Sequence, residues 1–157
     1  MSTTVSINGV AFLVQSGEIP QHDRFWMKVN SGVWETETYR VIDEQTDKDT
    51  LAIDCGGWIG PTILYTAQRC GYCVGFEPDP VAYATLKANL ALNSDAPWAQ
   101  NVKLVNKAIH STGHHNRGQQ QGGRRFNDQH AERGNCGELE SQHSAVAKGH
   151  REISWRL

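Results

Sequence analysis

One short run sets an acidic residue before a cluster of glycines: Asp54-Cys-Gly-Gly-Trp-Ile-Gly-Pro61. A second acidic residue, Glu77, follows 21 positions after Gly56, in Val74-Gly-Phe-Glu-Pro-Asp-Pro80. Gly56 and Gly60 lack a Cβ, so the chain there can turn tightly and let a ligand approach the backbone. A carboxylate accepts two hydrogen bonds from a cis-diol, a geometry few other side chains match. In nucleoside-binding folds an acid about 20 residues beyond the glycine loop meets the ribose hydroxyls. The dinucleotide fingerprint G-x-G-x-x-G, set to end at Gly60, requires glycine at 55, where Cys55 stands. Asp54 adds negative charge that repels a pyrophosphate and welcomes a cationic amino-acid group. The spacing thus points to S-adenosyl-L-methionine rather than NAD. Asp54, Gly56, Gly57, Trp58, Gly60, Glu77 and Pro78 are the candidate cofactor-binding residues, with Trp58 expected near the methionine portion.

These residues need elements to hold them. Thr50–Asp54 is a short apolar run suited to a buried parallel strand. Pro61 sits where a helix's first turn tolerates proline, and the helix is expected to reach about Arg69, burying Ile63, Leu64 and Ala67 and breaking at Gly71. Cys73–Glu77 is the next strand. Asp79 is an N-cap, with Pro80 at the first helical position. The helix Val81–Leu92 carries Ala82, Leu86 and Leu90 on one stripe, and Val102–Val105 is a third strand. The order β-α-β-α-β implies an α/β, Rossmann-like fold with a parallel sheet, binding its ligand at the carboxyl ends of the strands. Upstream, Val5–Val14 is a hairpin turning at Asn8-Gly9. Asp23–Val29 and Trp34–Gln45 are helices, with Asp23 as a candidate N-cap. Trp26 and Trp34 are lid or core residues, core being the commoner fate.

The 157 residues allow one domain. A net charge of -2 gives no general drive toward nucleic acid or anionic membrane, and no run approaches the ~20 apolar residues of a membrane span. The N-terminus lacks the basic-then-apolar pattern of a signal peptide, so a cytoplasmic location is the default expectation. The four cysteines show no secreted-scaffold spacing and are expected to be reduced. Cys70-Gly-Tyr-Cys73 closes a helix rather than opening one, so these are expected to be packing thiols.

The motifs resemble a known family. Phe25-Trp26, Trp34-Glu35, Ile53–Pro61, Phe76–Ala82, Leu86–Asn93, and Asn101-Val102 followed by Ala108-Ile109 are similar to the FkbM-type S-adenosylmethionine-dependent methyltransferases. The resemblance runs from about Asp23 to His110. It implies a class I methyltransferase fold and O-methylation of a hydroxyl on a sugar or secondary metabolite. It places Asp54, Gly56 and Gly60 at the methionine and ribose side, Glu77 on the ribose, and Asn106 and Ala108 at the adenine. The implied partner is a small-molecule hydroxyl acceptor, with no nucleic acid and no membrane. No catalytic base is named, because the family's later strands would supply it.

From Ser111 the character changes. Residues 111–157 hold ten of the apolar set A/V/I/L/M/F/W/Y/C in 47 positions, and six arginines to one lysine, where the preceding residues hold three to five. That composition fits a frameshifted reading or a polar, poorly structured tail. Expected organisation is therefore 1–49 (hairpin and helices), 50–110 (cofactor-binding core) and 111–157 (tail), a truncated member of its fold with three strands and one unpaired edge. His114, His115, His130, His143, His150 and Cys136 match no metal-site spacing. Two alternatives stand beside the enzyme: a non-catalytic cofactor-binding remnant, and an NAD-linked oxidoreductase, which Cys55 and Asp54 disfavour.

Overall fold

The computed structural model describes residues 1–109 and the backbone of Arg151–Arg156. The chain opens with the hairpin β1 (Ser2–Ile7) and β2 (Val10–Gln15), paired antiparallel with Ile7 opposite Val10. Asn8 and Gly9 have φ of 43° and 80°. Two successive positive φ values are what a type I′ turn requires, and Asn-Gly is the pair that tolerates them. Val5, Phe12 and Val14 form the buried face.

Helix α1 (Pro20–Asn30) begins a turn earlier than Asp23, the expected cap. Pro20 fits the first turn, where its missing N–H costs nothing. Asp23 lies inside the helix, and both its carboxylate oxygens accept from the Gly17 N–H at 3.1 Å. Helix α2 (Thr36–Gln45) follows a left-handed Glu35. Trp26 and Val29 of α1, and Tyr39 and Ile42 of α2, are buried, so Trp26 is a core residue.

The second sheet is wholly parallel. Its strands β3 (Thr50–Cys55), β4 (Tyr72–Phe76), β5 (Val102–Val105) and β6 (Arg151–Arg156) lie in the order β5-β4-β3-β6. The expected α/β, Rossmann-like β-α-β-α-β core is present. The three expected strands are present, and the expectation that the chain supplies no further strand is corrected: β6 pairs with the whole of β3, from Thr50–Arg151 to Cys55–Arg156. Arg151–Arg156 reads Arg-Glu-Ile-Ser-Trp-Arg, which alternates charge and polarity with only two large apolar residues, so a buried-strand pattern did not reveal it. Residues 110–150, which hold five histidines of the tail and Cys136, lie outside the described residues.

Helix α3 (Ile63–Thr66) is a single turn, shorter than the expected run to Arg69. The Thr66 hydroxyl donates back to the Thr62 carbonyl at 2.9 Å, and the next amides tighten to i→i−3 bonds, Gln68 to Tyr65 and Arg69 to Thr66. A β-branched residue with a back-bonding hydroxyl weakens helix continuation. Ile63, Leu64 and Ala67 are buried as expected, and the Gly71 N–H turns onto the Thr50 carbonyl. Helix α4 (Pro80–Ala91) starts as expected: Asp79 Oδ1 accepts from the Val81 and Ala82 N–H groups at 2.8 and 2.9 Å. A 3-10 turn, Pro97–Asn101, leads into β5.

The hairpin is docked onto this layer by two buried asparagines of α4 and the turn after it. Asn89 Oδ1 accepts from the Gln15 N–H at 2.7 Å while its Nδ2 donates to the Ile59 carbonyl at 2.8 Å. Asn93 Oδ1 accepts from the Leu13 N–H and its Nδ2 donates to the Leu13 carbonyl, at 2.8 and 2.9 Å. These side chains satisfy the outward edge of β2, which a free strand would leave exposed.

Candidate functional site

Parallel register brings the strand ends level. Cys55 lies opposite Phe76 and Arg156, and Phe76 opposite Val105. Gly56, Glu77 and Asn106, each one residue past its strand, therefore emerge at one edge. The chain runs outward from β3 through β4 to β5, and β6 lies on the other side of β3, so strand order reverses at β3. Ligands of such sheets bind at the carboxyl edge beside that reversal.

The glycine loop is fastened to β4. The Gly56 and Gly57 N–H groups both donate to the Phe76 carbonyl, at 2.8 and 3.0 Å, and the Gly60 N–H donates to the Gly57 carbonyl at 2.8 Å. The glycines divide by role. Gly56, at φ 95°, has nothing within 4 Å of where a Cβ would stand, so the backbone there is open to a ligand. Gly60, at φ 104°, has Leu86 at 2.8 Å and Leu64 at 3.1 Å from that point. On its Cβ side it serves helix-to-loop packing. Gly57 is intermediate, with Leu86 at 3.3 Å and Asp54 Oδ2 at 3.7 Å.

Glu77 is the hub. It is only 6% exposed, and its two oxygens are held separately: Oε2 accepts from the Trp58 N–H at 2.7 Å and Oε1 from the Asp79 N–H at 2.8 Å. Each oxygen keeps a second acceptor site. One carboxylate thus ties the loop after β3 to the loop after β4 and still offers two acceptors. Asn106, expected at the adenine, donates from Nδ2 to the Glu77 and Pro78 carbonyls at 2.7 and 3.3 Å. It pins the backbone that carries the carboxylate. Pro78 and Ala108, which follow β4 and β5, are exposed, as are Val81 and Ile109.

Asp54 lies beneath the loop. It is buried, and its Oδ2 accepts from the Thr62 hydroxyl at 3.1 Å. Burial pushes its carboxyl up to about 6; the Thr62 bond works against this and the Glu77 charge adds to it. Thr62 escaped the sequence expectations, although a hydroxyl eight residues after a buried acid, just past the loop, is the signal that could have found it.

Trp58 stands at the loop tip with φ 43°, a left-handed conformation rare for a bulky residue. Its ring packs edge-to-face with Phe25 at 4.6 Å and His22 at 5.8 Å between centroids, and Phe25 continues to Trp34 at 5.0 Å. Helix α1 therefore reaches the loop directly.

Cys70 and Cys73 are both buried at the junction of the α3 turn and β4. Their thiols share a hydrogen bond, which with burial pushes Cys73 well up. Among the described residues no group of three or more His, Cys, Asp or Glu could hold a metal, and no helix is long and apolar enough to cross a membrane. A cavity of about 320 Å³ opens between the hairpin and α1, lined by Thr3, Asp23, Met27 and Asn30 among others, but none of the candidate residues lines it.

No protein-family model matches the chain, and no curated protein matches it. Solved structures do. TYW2 of M. jannaschii in complex with AdoMet superposes with a TM-score of 0.44 at 18% identity, over 66% of this chain and 42% of that one. Trm5b from Pyrococcus abyssi gives 0.43 at 19%, over 66% and 27%. An rRNA methylase from Streptococcus thermophilus gives 0.40 at 15%, over 46% and 41%. The chain spans less than half the length of these structures.

Proposed function

We propose that this chain binds S-adenosyl-L-methionine and belongs to a methyltransferase acting on a hydroxyl of a sugar or secondary metabolite. The observation that carries the reading is the Glu77 carboxylate, fixed at the carboxyl edge by two backbone donors with two acceptor sites to spare. Ribose hydroxyls are the donors such a pair suits. Gly56 leaves room for close approach of the ligand, and Pro78, Val81, Ala108 and Ile109 supply an apolar surface for a base. When bound, the cofactor supplies an electrophilic methyl group on a sulfonium. The buried Asp54 charge favours that cation, and the chain's own contribution is positioning. The FkbM-type motifs supply the hydroxyl acceptor in this reading.

The test is a binding comparison on the full chain, followed by tryptophan fluorescence. Saturable binding of S-adenosylhomocysteine with none of NAD supports the reading; the reverse order would make the chain a dinucleotide binder. Solved neighbours include an rRNA methylase and a Trm5 bound to tRNALeu, so a tritiated-methyl assay should carry bulk tRNA beside small glycosides. Transfer to tRNA alone would move the acceptor from sugar to RNA.

A further inference from the structure

The ring contacts of Trp58 all lie on the α1 side of the loop. Its backbone N–H faces Glu77, on the β4 side, while its indole meets Phe25 and His22. The nucleoside-facing residues Glu77, Pro78, Asn106 and Ala108 follow β4 and β5. The indole's aromatic partners thus belong to α1, and Trp58 remains 39% exposed on a backbone held in the left-handed conformation. Backbone strain of this kind persists where the surroundings enforce it, and it clusters at ligand sites. His22 is half-buried beside the indole, and among the described residues neither of its ring nitrogens makes a hydrogen bond. A part-exposed indole next to an imidazole without a hydrogen bond is a combination that seats a ring bearing a hydroxyl: an aromatic face takes the apolar side of the ring, and an imidazole nitrogen accepts from the hydroxyl.

We propose that Trp58 and His22 form the acceptor wall of the site, with the indole stacking on a neutral sugar ring and His22 accepting a hydrogen bond from its hydroxyl. The carboxylates of Asp54 and Glu77 nearby disfavour an anionic acceptor. Phe25 is a positioning residue, fixing the indole edge-to-face at 4.6 Å. This inference rests on the cofactor reading above.

The experiment is NMR on the full chain saturated with S-adenosylhomocysteine, titrated with methyl β-D-glucopyranoside. The Trp58 indole N–H and His22 ring protons are assigned by difference from Trp58→Phe and His22→Gln. Both sets are expected to shift saturably. Trp58→Leu should weaken glucoside binding about tenfold, as loss of an aromatic face does, while Trp58→Phe retains it. Normal cofactor binding with no glucoside shifts, or shifts that persist in Trp58→Leu, would overturn the acceptor wall alone. Absence of S-adenosylhomocysteine binding would overturn the cofactor reading and this one with it.

Discussion

At the scale of single residues, the site rests on what is buried as much as on what is open. Gly60 marks the packed end of the loop. A methyl group there meets Leu86 at 2.8 Å, on a backbone at φ 104°. Gly60→Ala is expected to destabilise the fold by about 1–3 kcal/mol, through overpacking and a disallowed conformation; urea denaturation measures it. Asp54 makes a different prediction. Its carboxyl rises from the ordinary 3.8 to about 6 on burial. Between those values the folded chain holds a proton that the unfolded chain has released, so stability falls as pH rises from about 4 to about 6. Above that the buried charge costs about 3 kcal/mol. Asp54→Asn keeps an acceptor for Thr62 and removes the titration. Its urea midpoints should show less decline from pH 4.5 to 6.5 than those of the unaltered chain, and an equal decline would contradict the assignment.

Among the elements, α4 does the most work. Its cap was legible, because Asp79-Pro80 combines a side-chain acceptor with a preset φ, and both act locally. The hairpin turn at Asn8-Gly9 was legible for the same reason. Asn89 and Asn93 were not. They sit one turn apart beside the apolar stripe of Leu86, and nothing local says that their partners are β2 and the Ile59 carbonyl, 74 and 30 residues from Asn89. Asn89→Ala would leave a strand N–H and a loop carbonyl without partners. A loss of about 2–3 kcal/mol is expected, with faster amide exchange at Gln15; an effect below 0.5 kcal/mol would show that water replaces the side chain. The length of α3 was misjudged for a related reason. Apolar spacing continues to Ala67, but the Thr66 hydroxyl bonds back to Thr62 and the turn tightens. Strand–loop–strand order and the 21-residue offset were enough to set Gly56 and Glu77 at one sheet edge. They could not reveal that Glu77 holds Trp58, or that Asn106 pins the Glu77 backbone, since those contacts depend on strand register.

On the scale of the whole molecule, β6 is the feature that composition hid. Its charged and polar residues do not look like a buried strand, yet it pairs along the full length of β3. It creates the reversal of strand order beside the candidate site. Removing residues 150–157 would bare six residues of β3 backbone. The shortened chain is expected to lose cooperativity in thermal unfolding and to associate through that edge, measured by calorimetry with light scattering. A monomer that melts as sharply as the full chain would mean β6 adds little. The N-terminal layer is likewise part of the same folded unit, because β2 hangs on α4 and α1 supplies the aromatic contacts of Trp58.

The central claim is that the carboxyl edge built around Glu77 holds a nucleoside sulfonium cofactor. Isothermal calorimetry with S-adenosylhomocysteine tests it most directly, on the full chain and on Glu77→Ala, with circular dichroism confirming that the variant folds. The account predicts saturable one-to-one binding, weakened about 10- to 100-fold in the variant, as loss of hydrogen bonds to a charged group implies. Equal affinity in both proteins, or no heat of binding in the folded full chain, would contradict it.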